Sequence, residues 1–327
     1  MVFLLVSYGA PSESSEVVPF LGRLFAGKGV SPAHIAKAAE KYYEFARRNG
    51  NFSPLNEQCR ELRDGIELEF LRVGFPSRVY QGNLYGQPFI EDTIKQMKDD
   101  GVKSAKCFVT SAFDSTAGNR KYSVAIAGAC QRAGGEGLRI ERLLLPFDHP
   151  LFIGAQAARL VGEFGGRENI DRDFGETLVL FSAHSIPKSD PCADNYLQQL
   201  NYACREVMLC CELMCAGLRE VKWELVFQSQ PINTNKGGGQ VDQWLKPSIN
   251  ERVAEIIREA NGAGTERKKN IIVSPIGFFC ESMETVNDLD FVLGDMCEGA
   301  AVNFARVLTV GTMPEIYEMI VKMALGG

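Results

Sequence analysis

Short apolar runs alternate with longer amphipathic stretches from one end of the chain to the other, and this rhythm restricts the fold more than any other feature. The run Thr177-Leu178-Val179-Leu180 is apolar at consecutive positions, as expected of a strand buried on both faces. Further strands are expected at 2–8, 78–84, 105–110, 139–145, 223–227, 270–273 and 303–310. The stretches between them read as helices, several opened by Ser31-Pro32, Pro88 or Pro247. Strand and helix in regular alternation predict an α/β fold with parallel sheets covered on both faces. The break Pro146-Phe147-Asp148-His149-Pro150 divides the chain into two halves of similar rhythm.

The 327 residues, 45% hydrophobic and 23% charged, suffice for two cores of about 150 residues each. The expected units are 1–148, joined by the C-terminal helix 311–327, and 149–310. A formal charge of -6 and a pI near 5.4 exclude a nucleic-acid binder, since no basic surplus exists to replace counterions. The short basic run Arg267-Lys268-Lys269 reads as solvated loop.

Ten cysteines in so long a chain do not suggest a disulfide scaffold, and Met1 leads into Val2-Phe3-Leu4-Leu5-Val6 without a basic leader. No apolar stretch approaches 18 residues, so a cytoplasmic protein with reduced thiols is expected. Cys204, Met208, Cys211 and Cys215 follow helical spacing and form an apolar stripe, so an iron–sulfur cluster is not expected there. No GxGxxG or P-loop is present, which leaves nucleotide cofactors unsupported, and Gly237-Gly238-Gly239 reads as flexible loop.

Two stretches carry chemistry. In Phe181-Ser182-Ala183-His184-Ser185-Ile186-Pro187, one of only three histidines in the chain stands at the carboxyl end of a buried strand, where open α/β sheets place their ligands. A core histidine tied to a carbonyl accounts for that position equally well. In Cys280-Glu281-Ser282-Met283-Glu284-Thr285-Val286-Asn287-Asp288, Glu284 and Asp288 are four apart and share a helix face, with Glu281 one turn earlier. A solvated acidic first turn would have the same pattern. Two acids on one face repel unless a cation lies between them, and His184 opposite Glu284 would offer a divalent ion one nitrogen and one oxygen ligand with open positions.

Those two stretches, together with Tyr196, Gln199-Leu200, Gln228-Ser229, Trp244-Leu245-Lys246-Pro247 and Pro275-Ile276-Gly277-Phe278, resemble ferrochelatase in order and over nearly the whole chain. Leu5-Val6-Ser7-Tyr8-Gly9-Ala10-Pro11, Ser53-Pro54-Leu55 and Pro88-Phe89-Ile90-Glu91-Asp92 extend the resemblance into the first half. It implies a chelatase-like fold of two Rossmann-like domains and a lyase that inserts Fe2+, as substrate, into protoporphyrin IX or coproporphyrin III in haem biosynthesis. It also implies that His184 and Glu284 are the catalytic pair and that His184, Glu284 and Asp288 handle the metal. Tyr8, Phe113, Tyr122 and Trp244 would wall the porphyrin, with Ser12, Lys28 and Ser53 near its edge and carboxylates. Neighbouring haem-pathway enzymes are implied as partners. Phe20, Leu21, Leu24 and Phe25 are a candidate membrane-touching lip, and a helix face packed in the core explains them at least as well.

The chain departs from the family pattern at four places. Glu281-Ser282 stands where Asp-His is usual, Ser12 replaces an aromatic residue, Ala112 a histidine and Val292 an acid. No cysteine follows Cys297, so the tail iron–sulfur cluster of some family members has no ligands there. Two other readings stay open: a chelatase for sirohydrochlorin with cobalt or nickel, disfavoured by the shortage of histidine, and a noncatalytic tetrapyrrole- or haem-binding protein.

Overall fold

The computed structural model describes residues 1–133, 137–166, 176–229, 243–262 and 269–326. Gly237-Gly238-Gly239 and Arg267-Lys268 lie outside them, while Lys269 begins a strand. Strands β1 (Val2–Ser7), β2 (Arg78–Asn83), β3 (Ser104–Val109) and β4 (Arg139–Arg142) form one parallel sheet in the order β2-β1-β3-β4. Strands β5 (Thr177–His184), β6 (Lys222–Gln228), β7 (Lys269–Ser274) and β8 (Val302–Arg306) form a second in the order β6-β5-β7-β8. The α/β architecture expected from the alternation is therefore present, with the same strand order in both halves.

Helices cover both faces because parallel strands need crossover connections. In the first half they are α1 (Ser14–Leu24), α2 (Pro32–Asn49), α3 (Leu55–Arg72), α4 (Ile90–Asp99) and α5 (Lys121–Arg132). Then come α6 (Pro150–Gly166), α7 (Ala193–Met214), α8 (Ile249–Gly262), α9 (Met283–Thr285), α10 (Leu293–Cys297) and α11 (Pro314–Leu325). The start of α2 shows how local sequence sets a boundary: the Ser31 side chain accepts a hydrogen bond from His34 N, and Pro32 occupies the first turn where its missing N–H is not needed.

Alternate residues of the central strands enter different cores. Leu4 and Val6 pack with Ile94 and Ile126 of α4 and α5. Phe3 and Leu5 face the other way, into a core shared with Val179, Phe181 and Ala183 of β5. Leu180 turns instead toward α8 and α10. All of these strand residues have no exposed surface, which is why their runs are continuous and not alternating. The shared layer is fastened by rings from both halves, with Phe108 and Phe279 centred 5.2 Å apart and Phe152 stacked on Phe279 at 6.3 Å. Helix α11 returns to pack on α3 and α6.

Two expectations shift. Strands β4 and β8 stop at Arg142 and Arg306, earlier than the apolar runs suggest, because an edge strand pairs only along its single neighbour. The acidic helix expected from residue 281 begins at Met283, and it is π-helical over Val286–Val292. Of the two readings open for Phe20 and Leu21, membrane lip or core face, the core one holds: each is 2% exposed and packs with Tyr85 and Tyr42. Cys204, Met208 and Cys211 are buried along one face of α7, as the stripe requires, and all ten cysteines are free thiols. Among the described residues no helix is long and apolar enough to cross a membrane.

Candidate metal and porphyrin site

Carboxyl ends of strands from both sheets converge on one cavity of about 270 Å³. β1 leads to Tyr8, β3 to Thr110 and Phe113, β5 to His184, and β7 to the turn Pro275-Ile276-Gly277-Phe278. That turn lies directly on β5. Gly277 N donates to Ser182 O at 3.0 Å, and a Cβ at Gly277 would sit 2.6 Å from Ala183 Cα, so only glycine lets the two segments approach.

His184 is oriented by its own backbone. Its Nδ1 lies 2.6 Å from Ser185 O, and since a carbonyl only accepts, Nδ1 carries the hydrogen and Nε2 presents a lone pair. The tie to a carbonyl anticipated for a structural histidine is thus real, and it is what aims the other nitrogen. Nε2 faces Glu284 Oε1 at 3.3 Å, so two acceptors meet with room for a proton or a cation between them. Tyr196 anchors the same strand end by donating its hydroxyl hydrogen to His184 O at 3.0 Å.

Glu284 sits in the first turn of α9. Ser282, which stands in place of a second histidine, uses its hydroxyl to cap that turn, accepting from Thr285 N at 3.2 Å. Asp288 follows on the same side, and the Ser229 hydroxyl bridges the two acids, donating to Glu284 Oε1 and lying 3.2 Å from Asp288 Oδ2. Burial raises the Asp288 carboxyl above its ordinary range, and the neighbouring Glu284 charge adds to the effect. Among the described residues no three His, Cys, Asp or Glu side chains form a closed metal cage; His184 and Glu284 are an open pair.

Glu281 does not extend this acidic face, contrary to the helical spacing. It is buried against Arg306, whose Nη1 donates to both of its oxygens at 2.7 and 2.8 Å, and Thr309 N donates to it at 2.7 Å. Arg306 also binds Asp290 through Nε at 2.7 Å. The helix begins two residues after Glu281, so the 3.6-residue period does not apply to it.

Of the proposed porphyrin contacts, Tyr8, Ser53, Phe113 and Tyr122 line the cavity. Burial pushes the Tyr8 phenol well above its ordinary value. Ser53 also ties the halves together, accepting from Met283 N at 3.1 Å. Ser12, Lys28 and Trp244 are not among the lining residues. Ser12 Oγ accepts from Asn56 Nδ2 at 2.9 Å, and Trp244 is bridged to Pro187. Lys28 is exposed over the Phe25 ring, its ammonium lowered first by partial burial and then by Lys121. Ala112 is buried and Val292 exposed, neither of them at the cavity.

Tyr42, Tyr196 and Ser229 had no assigned role in the sequence. Ser229 was findable in principle, since Gln228 pairs with His184 across β5 and β6 and the next residue must emerge beside the histidine. That inference needs the strand order.

A sequence profile of the ferrochelatase family matches residues 2–326. The chain is 34% identical over 320 residues to the ferrochelatase of Rhodopirellula baltica, covering 97% of this chain and 83% of that one. It is 34% identical over 323 residues to the coproporphyrin III ferrochelatase of Mycolicibacterium smegmatis, covering 98% and 87%. Among solved structures, SirB from Bacillus subtilis with Fe3+ shares the fold at a TM-score of 0.51 and 11% identity, covering 99% of this chain and 96% of that one. The chain belongs to the ferrochelatase family.

Proposed function

We propose that the chain inserts Fe2+ into a carboxylate-bearing porphyrin as a step in haem synthesis, with His184 and Glu284 as the catalytic pair. The observation that carries this reading is the lone pair of His184 Nε2 set 3.3 Å from Glu284 Oε1 in the lining of the cavity. Metalation releases two pyrrole protons as one dication enters the ring. A neutral imidazole accepts one proton and solvent reaching the partly exposed pair takes the other, while the carboxylate offsets the positive charge of the incoming ion. An open pair suits an ion that must be handed on and not retained. Asp288 continues the acidic side away from the cavity and is the next station for metal or protons. Tyr8, Phe113 and Tyr122 present walls to the macrocycle, and Ser53 is a hydroxyl within reach of its edge. Units 1–148 with 311–327, and 149–310, would be the two sides of the cleft.

The test is insertion of Fe2+ under anaerobic conditions, and of Zn2+ in air, into protoporphyrin IX and coproporphyrin III. His184→Ala and Glu284→Gln run alongside. The wild-type chain is expected to metalate at least one porphyrin, and each variant to lose roughly a hundredfold or more of that rate. Absence of insertion into either porphyrin, where a control enzyme works, overturns the proposal; porphyrin binding without metalation would mark a noncatalytic tetrapyrrole binder.

A further inference from the structure

Ser229 is the only non-glycine residue with a positive φ, +62°, among the described residues. L-residues avoid this region because Cβ crowds the following carbonyl, whereas glycine enters it freely. Residues kept in such a conformation cluster at functional sites, where the side chain is needed despite the strain. The preceding residue leaves no slack. Gln228 is 2% exposed, its carbonyl accepts from Ser185 N at 2.9 Å, and its side chain accepts from Ser182 Oγ at 3.2 Å. The chain must therefore turn at residue 229 itself, and the turn directs the hydroxyl between Glu284 and Asp288. The oxygen that receives its hydrogen bond, Glu284 Oε1, is the same atom that faces His184 Nε2.

We propose that Ser229 is a positioning residue for metal insertion: its hydroxyl holds Glu284 Oε1 on His184 Nε2, so that the pair is set before the ion arrives. The proposal rests on Glu284 being the metal-site carboxylate. Without the hydroxyl, Glu284 and Asp288 lose their shared bridge, their mutual repulsion is relieved by rotation, and the ion must organise its own ligands on entry. A hydrogen bond to a charged group corresponds to about a ten- to hundredfold effect. The loss falls on the metal and not on the porphyrin, because Ser229 is not among the residues lining the cavity.

Backbone strain supplies the test. Ser229→Gly removes the hydroxyl and suits the φ, so a purely structural serine would be replaced without harm. Ser229→Thr keeps the hydroxyl but strains the backbone further. Steady-state insertion is measured with each substrate varied in turn, together with thermal unfolding. The glycine variant is expected to unfold at or above the wild-type midpoint while kcat/KM for Fe2+ falls about ten- to hundredfold and porphyrin KM stays unchanged. The threonine variant is expected to unfold earlier yet retain most of the insertion rate. Wild-type efficiency toward Fe2+ in Ser229→Gly, with Glu284→Gln inactive, overturns the role of Ser229 alone. Full activity in Glu284→Gln overturns the reading of the site itself.

Discussion

Replacing Arg306 with methionine should destabilise the protein by about 3–5 kcal/mol, the cost of leaving one member of a buried ion pair without its partner. Arg306 and Glu281 side chains are each 7% exposed, and the guanidinium touches both Glu281 oxygens at 2.7 and 2.8 Å. Once the arginine is gone, Glu281 keeps the Thr309 N–H at 2.7 Å and a long contact from Thr285 Oγ1 at 3.4 Å. Those donors do not neutralise a carboxylate that water cannot reach. Asp290, 32% exposed, can rehydrate, so its share is that of a surface pair, about 0–1 kcal/mol. Most of the loss therefore lies at Glu281. Adding Glu281→Gln to Arg306→Met removes the orphan charge and should recover about 2 kcal/mol or more. Urea titration followed by circular dichroism measures both differences by linear extrapolation. A single variant within about 1 kcal/mol of wild type, or a double variant no more stable than the single one, would refute the argument that unpaired charge governs this cluster.

His184→Ala should leave the unfolding midpoint nearly unchanged, because the ring is partly exposed and anchored by one contact to its own chain, while insertion falls by about 10²–10⁴. Added imidazole should restore part of the rate; a variant that unfolds early would show a structural role instead. Gly277→Ala drives a Cβ to 2.6 Å from the Ala183 backbone and should cost about 1–3 kcal/mol, read in the same urea titration, with insertion reduced because the β7 turn is pushed off β5. Asp288→Asn should raise stability at pH 7. The Asp288 pKa is raised on folding, so the stability its protonated form contributes is complete below the unfolded value of about 3.9 and lost as pH rises through the folded one. The advantage of the asparagine variant should accordingly shrink as pH falls toward about 4, and a wild-type chain that is the more stable at pH 7 would contradict it.

Much of the framework was legible because local physics reported it directly. Consecutive buried positions along β1 and β5 had to be apolar, and Ser31-Pro32 had to start a helix wherever it occurred. His184 and Glu284 were legible for a different reason: each stands at a strand-to-helix junction, and the order of motifs around them matches one family. Glu281 was misplaced because its partner, Arg306, lies 25 residues away on β8 and is invisible to helical spacing. Lys28 and Trp244 suit a porphyrin by the family resemblance and by their chemistry, but their positions relative to the cavity depend on how the chain after α1 and the segment after residue 242 pack.

By itself, then, the sequence determined the alternation of elements and the burial of the central strands, and it singled out His184 and Glu284 as candidates, each from residues close to it along the chain. Only the tertiary structure decided which acids face the histidine and which are neutralised by arginine. It also decided that Ser229 stands between Glu284 and Asp288, because that contact depends on β6 lying beside β5 and on one residue turning through a positive φ. The orientation of a few side chains across strands far apart in the chain follows from sheet order, and sheet order is settled by how whole faces pack together.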